Sequence, residues 1–260
     1  MADTPLEFRP TIFLDTNALH YMSSYLRWAG KENLPPFQGG VTIEQIGNTL
    51  RQHMPKSIAD KLLDGAKTLA FLQQEVDQHE AAIYTSRFAK AEVIYGVLEG
   101  QAHARMAREG LPYRMRQRAG VLSELVSMYL GSQDYKQVIA EWDNLLSLLE
   151  DRGDIKVSYV EEKEGVFSEI AEVAEFLQSR IFMDVVDSWM YAGALVMQAE
   201  RIITFDRYFR RVINRLNNPQ NETDWQQLQN DLQEMLKARF PGKPTLPRVE
   251  NLPQSLPKPW

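Results

Sequence analysis

Residues 11–17, TIFLDTN, join a short β-favouring run, Ile12, Phe13 and Leu14, to a carboxylate at Asp15 followed by Thr16 and Asn17. Such a run has no packing use for a carboxylate unless its end opens onto a helix start or a site. The design recurs in RIITFD, where Ile202 and Ile203 lead through Thr204 and Phe205 into Asp206. Glu92 lies in SRFAKAEVIYGVL, where helical spacing puts Phe88 and Tyr95 on its own face and Ala89, Val93 and Val97 on the adjoining one. Asp184 and Asp187 stand at i and i+3 in MDVVDSWMYAGALVMQ, a segment otherwise apolar or small. Each acid also has a plain structural reading. Asp15, Thr16, Asn17 or Asp184 can cap a helix, Asp187 can complement a helix dipole, and Glu92 can reach solvent or an arginine.

The elements that must position these acids follow from periodicity and punctuation. Strands are expected at 11–15, 81–85, 155–160 and 201–205. Helices are expected after Asp15, over 43–80 with a break at Met54-Pro55, and over 86–98, 121–130, 135–149, 166–179 and 183–198. Residues 33–40, NLPPFQGG, read as a turn, and 100–120 as an arginine-rich loop. The tail from Pro241 to Trp260 is proline-rich and extended, with a short edge strand near 246–249. Strands separated by helices predict an α/β chain, a parallel sheet covered on both faces. In an open sheet of that kind the carboxyl ends of the strands and the following helix starts converge on one crevice. Four or five carboxylates meeting there repel one another and raise their pKa values unless a cation is present. With no cysteine in the chain, oxygen ligands point to Mg²⁺ or Mn²⁺, and the matching chemistry is in-line phosphodiester hydrolysis.

Composition narrows the field further. At 260 residues and 44% apolar content, the chain can bury a large core, as one domain or a core domain with an insertion. The absence of cysteine excludes disulfides, thiolate metal sites and a cysteine nucleophile. No run approaches the about 18 apolar residues of a membrane span, and MADTPLEFRP lacks the basic and apolar regions of a signal peptide. A cytoplasmic protein with no membrane partner is the expectation. A net charge of −6 argues against nucleic-acid binding by bulk charge, while leaving room for a local basic face.

Taken together, TIFLDTN, TSRFAKAEVIYG and DSWMYAGALVMQAERIITFDRYF resemble the PIN-domain nucleases, including the VapC-like toxin ribonucleases. The S-x5-E-x3-G pattern is met by Ser86, Glu92 and Gly96, and the T-x-[DN] step by Thr204 and Asp206. The resemblance covers about residues 10–30, 81–100 and 155–215. It implies a three-layer α/β/α PIN-like fold and a Mg²⁺ or Mn²⁺ site built from Asp15, Glu92, Asp187 and Asp206. Asp184 would be a fifth acid or support the others, and Asn17 and Thr204 would orient ligands. The implied activity is a metal-dependent endoribonuclease acting on single-stranded or structured RNA. An antitoxin or other protein partner and a homodimer are the assemblies it admits. The alternatives are a PIN-like scaffold or nucleic-acid-binding module, and a DNA nuclease using the same acids. On this reading residues 1–240 form the nuclease domain, with helical insertions at about 31–80 and 100–154, ahead of the 241–260 tail.

Two basic segments are candidates for holding a nucleic-acid backbone. The first, HARMAREGLPYRMRQRAG, carries Arg105, Arg108, Arg114, Arg116 and Arg118 beside Tyr113; the second carries Arg207, Arg210, Arg211 and Arg215 directly after Asp206. A solvated, salt-bridged face is the competing account of the first. His20, His53, His79 and His103 show no metal-ligand spacing, and no Walker A, Rossmann or G-x-S-x-G motif is present.

Overall fold

The computed structural model describes residues 9–31, 42–112, 128–153, 155–219, 222–239, 244, 246–250 and 252. In chain order the elements are β1 (Thr11–Leu14), α1 (Thr16–Lys31), α2 (Ile43–His53), α3 (Lys56–His79), β2 (Ala82–Thr85) and α4 (Arg87–Arg108). Then come α5 (Ser132–Gly153), β3 (Val157–Tyr159), a 3₁₀ turn at Val160–Glu162, α6 (Val166–Ile181) and α7 (Val185–Val196). The chain continues through β4 (Arg201–Ile203), α8 (Arg207–Asn217), α9 (Thr223–Lys237) and β5 (Arg248–Val249). The strands form one parallel sheet in the order β3-β2-β1-β4-β5. This is the expected α/β class, and the helix-covered sheet is consistent with three layers. Among the described residues no helix is long and apolar enough to cross a membrane.

The strand order decides where a site can form. From β1 the chain steps outward to β2 and β3, then returns to lay β4 on the other side of β1. The two strands flanking that reversal send their following loops in opposite directions, which opens a crevice at their carboxyl ends. Ile12, Phe13 and Leu14 of β1 are fully buried, which anchors the centre of the sheet through about 1.5–3 kcal/mol per large apolar side chain.

The segment expected as a loop at 100–120 is helical as far as Arg108. Leu98, Ala102 and Met106 recur every four residues and bury against Leu130 and Val138 in a small second core, a stripe interrupted in the sequence by Glu99, Gly100, Gln101, His103 and Arg105. Residues 113–127, with most of the expected 121–130 helix, lie outside the described residues, as do the 33–40 turn and most of the tail. β3 is shorter than expected because Val160 enters the 3₁₀ turn, and β4 stops at Ile203. The expected edge strand appears as the two residues of β5. The break at Met54-Pro55 is present: α2 ends at His53 and Pro55 precedes α3.

Helices α3 and α5 are both tied to the rest of the fold by side-chain contacts. Arg201 of β4 is ion-paired with Glu75 of α3, lies 3.7 Å from Glu250 beyond β5, and stacks its cation 5.3 Å from the Phe71 ring. Trp142 of α5 donates to the Tyr159 hydroxyl of β3 at 2.7 Å, and Arg27 of α1 bonds Glu141 of α5 at 3.1 Å.

α3 also presses against α1, the helix that follows Asp15. A Cβ on Gly65 would lie 2.2 Å from the Tyr21 carbonyl oxygen, so only glycine permits this crossing. Alanine normally stabilises a helix interior relative to glycine by about 1 kcal/mol. At Gly65 the sign should reverse, with Gly65→Ala losing about 1–3 kcal/mol. Gly100 in α4, where an added Cβ meets nothing within 4 Å, should show the ordinary gain. Thermal unfolding of the two variants checks the contrast, and a stabilised Gly65→Ala would mean α1 and α3 are not this close.

Candidate functional site

β1 and β4 end level with one another: Leu14 pairs with Ile203, and the Asp15 N–H donates to the Ile203 carbonyl at 3.1 Å. The side chains one step further therefore meet. Thr204 Oγ1 donates to Asp15 Oδ2 at 2.6 Å and accepts from the Asp206 N–H at 3.0 Å. Asp15 Oδ1 accepts from the Thr16 N–H at 2.7 Å. Asn17 Oδ1 accepts from the Phe205 N–H at 2.8 Å, a second stitch between the same two loops. Asp15 thus precedes α1 in the cap position but spends no oxygen on the second or third amide of the helix, where a capping side chain usually bonds.

The other acids arrive on helix starts. Asp184 is the N-cap of α7, accepting from the Asp187 N–H at 2.9 Å, and Asp206 caps α8 by accepting from the Tyr208 and Phe209 N–H groups. Capping and proximity to the site coexist in both. Glu92 is solvent-exposed on α4, so its position carries no desolvation cost. Its relevance is electrostatic, since its charge reaches both Asp15 and Asp187.

The mutual repulsion expected from the sequence is present. Burial pushes the Asp15 carboxyl up to about 6; hydrogen bonds from Thr204 and Thr16 pull it back, and the charges of Glu92 and Asp206 add to the rise. Asp187 is pushed up to about 8, first by burial and then by Asp184, Asp15, Asp206 and Glu92. Among the described residues none of these five acids belongs to an ion pair, although Arg207, Arg210 and Arg211 stand within two turns of Asp206.

Whether these residues suit a metal ion turns on donor chemistry and geometry. The donors are carboxylates and hydroxyls, hard oxygen ligands suited to Mg²⁺ or Mn²⁺. Thr16 Oγ1, beside Asp15, is buried without a hydrogen-bond partner. Among the described residues, however, no group of three or more His, Asp or Glu side chains is arranged to hold a metal ion. The donor set fits a divalent cation, and the acids would have to draw closer around it.

The two arginine segments differ. Arg105 is ion-paired with Asp134 and donates to the Tyr129 carbonyl, so it holds the second core together, and Arg108 bonds back to Ala104 of its own helix. Arg114, Arg116 and Arg118 lie outside the described residues. Arg207 and Arg211 are exposed and make no ion pair among the described residues, whereas Arg210 turns inward to donate to the Thr204 carbonyl at 2.9 Å.

One acid at this edge escaped the sequence reading. Glu161 accepts from Ser86 Oγ and from the Arg87 N–H, at 3.0 and 3.1 Å from its two oxygens, and so fixes the start of α4. Its signal was the one already used elsewhere, a strand running straight into an acid, in VSYVEE. No family model, no curated protein and no solved structure matches the chain.

The raised carboxyls set a sign for stability against pH. The folded protein keeps a proton on Asp187 up to about pH 8, while the unfolded chain has lost it above 3.8, so stability falls as pH rises through this window. Asp187→Asn should therefore raise the thermal midpoint near pH 8 and give no gain near pH 4, by about 2–4 °C for each kcal/mol of repulsion relieved. Thermal scans of both proteins in chelator test this; equal midpoints at both pH values would remove Asp187 from the acid cluster.

Proposed function

We propose that the protein is a PIN-like, metal-dependent nuclease, most suited to endonucleolytic cleavage of single-stranded or structured RNA, with a toxin-like role among its assignments. The observation that carries this reading is the electrostatic coupling of Asp187 to Asp184, Asp15, Asp206 and Glu92, with Asp15 at the junction of β1 and β4, and none of the five in an ion pair among the described residues. An acidic cluster left unneutralised in this way favours a divalent cation. Asp15, Glu92, Asp187 and Asp206 would hold one or two Mg²⁺ or Mn²⁺ ions, with Asp184 in support. Such an ion, when bound, supplies Lewis-acid charge at the phosphate and an acidified water for in-line attack.

The remaining steps belong to the chain. Thr204 fixes the direction of the Asp15 carboxylate through its hydroxyl, and Asn17 keeps the two loops in register. Asp187 keeps its proton up to about pH 8, so a cation held there would bind more tightly as pH rises towards 8. Arg207 and Arg211 present charge to the phosphates of the strand on the far side of Asp206.

A second reading, a PIN-like scaffold or binding module in which α2, α3 and α5 make the contacts, is favoured by the lack of a ready-made ligand group among the described acids. Cleavage separates them. In Mn²⁺, the purified protein should cut single-stranded RNA, and Asp15→Asn and Asp206→Asn should each lower the rate by about 10²-fold or more. Thr204→Val, which keeps the acids but frees Asp15, should cost less, about 10-fold. Full activity in both asparagine variants would end the nuclease reading, and preference for single-stranded or branched DNA would move it to a DNA substrate.

A further inference from the structure

α8 carries more cationic charge than the acidic site beside it can use. Its polar face lines a cleft of about 710 Å³ with Arg207, Arg210, Arg211, Asn214 and Arg215, opposed by Glu222 at the approach to α9. The opposite face buries Phe209, Val212, Ile213 and Leu216, so Arg207, Arg211 and Arg215 stay on the outer side while Arg210 alone reaches in, to the Thr204 carbonyl. In a chain of net charge −6 this is a local reversal of sign.

Spacing gives the patch a direction. Arg207, Arg211 and Arg215 recur every four residues, which places them on one face of the helix with a rise of about 6 Å per step. The row begins next to Asp206 and ends roughly 12 Å away. Its members are unequal. Arg207 and Arg211 are exposed and have no ion-pair partner among the described residues. Arg215 is held by Glu222 at 2.6 Å and lies 4.8 Å from the ring of Trp225. Tyr208, 51% exposed, projects from the first turn beside Arg207. An exposed ion pair of this kind is worth about 1 kcal/mol or less, so an incoming phosphate can displace Glu222.

We infer that α8 is a rail for the phosphodiester backbone of an extended single strand. Arg207 and Arg211 each take a phosphate, and a third phosphate takes Arg215 from Glu222. The inference rests on the nuclease reading for where the strand starts, and it adds a length requirement. Three consecutive phosphates on one side of the bond to be cut must be present for full affinity. Duplexes fit poorly, because the rail tracks one backbone and leaves the bases turned towards Tyr208 and Trp225, where stacking needs unpaired rings.

Equilibrium binding of labelled oligouridylates to the full chain in chelator tests this without cleavage. Arg207→Gln and Arg211→Gln should each weaken binding of an octanucleotide roughly tenfold and reduce the slope of log Kd against log salt by about 0.7. Arg211→Lys, keeping the charge, should retain the slope. Glu222→Gln should tighten the octanucleotide about two- to fivefold and leave a dinucleotide unchanged. Unchanged salt slopes in both glutamine variants, no tightening in Glu222→Gln, or absent oligonucleotide binding would overturn the rail. So would an oligoglutamate peptide that competes as well as RNA, which would make the cleft a dock for an acidic protein segment. If the slopes behave as stated and Mn²⁺ produces no cleavage, the nuclease reading fails and the rail stands.

Discussion

The hydrogen bond from Thr204 to Asp15 joins the two strands between which the chain reverses its order across the sheet. Every other feature of the crevice is set relative to it. Because β1 and β4 are paired to their last residues, Thr204 and Asp15 leave the sheet at the same level. A hydroxyl has one proton to donate, and here it goes to the acid while the oxygen accepts from the Asp206 amide. One small side chain therefore sets the positions of two carboxylates that would otherwise move apart.

Holding like charges together needs a stiff frame, and α3 and α5 contribute it. α3 packs on α1 at a distance that only Gly65 permits, which limits how far α1 and the Asp15–Asn17 turn can shift. Its far end is tied to β4 and β5 by the Glu75–Arg201–Glu250 group, whose arginine is mostly buried and shared between both carboxylates. A buried ion pair is weak evidence of net stability, but breaking one leaves an uncompensated charge inside, so it fixes register well. α5 does the same on the other flank through Trp142 and Tyr159. On this account α3 and α5 brace the acidic edge.

Much of this was legible in the sequence because strands and acids leave strong local patterns. The runs before Asp15 and Asp206 located β1 and β4, and strands alternating with helices were enough for a parallel sheet. Strand order was not legible, since it depends on contacts between segments almost two hundred residues apart. The helix through residues 100–108 is hidden because its inner stripe there is only Ala102 and Met106, set among Gly100, Gln101, His103, Arg105 and Arg108. Asn17 could be recognised as important from its place, but its partner, the Phe205 amide, belongs to a loop whose position only the folded sheet determines. Glu161 lies just beyond β3 as Asp15 and Asp206 lie beyond β1 and β4, so VSYVEE carries the same local pattern.

Acid and arginine lie close together here without neutralising one another, and the reason is how their polar atoms are committed. Asp206 and Arg210 are one helical turn apart, the spacing at which opposite charges ordinarily pair. One Asp206 oxygen instead accepts two amides of α8, and Arg210 donates to the Thr204 carbonyl. Thr204 thus gives its hydroxyl to the acids and its carbonyl to the arginine. Were Arg210 free to swing onto Asp206, the helix would gain a weak surface pair and the crevice would lose an unneutralised carboxylate. The same residue that orients Asp15 therefore keeps Asp206 available, and the separation of negative crevice from positive helix depends on its two polar groups.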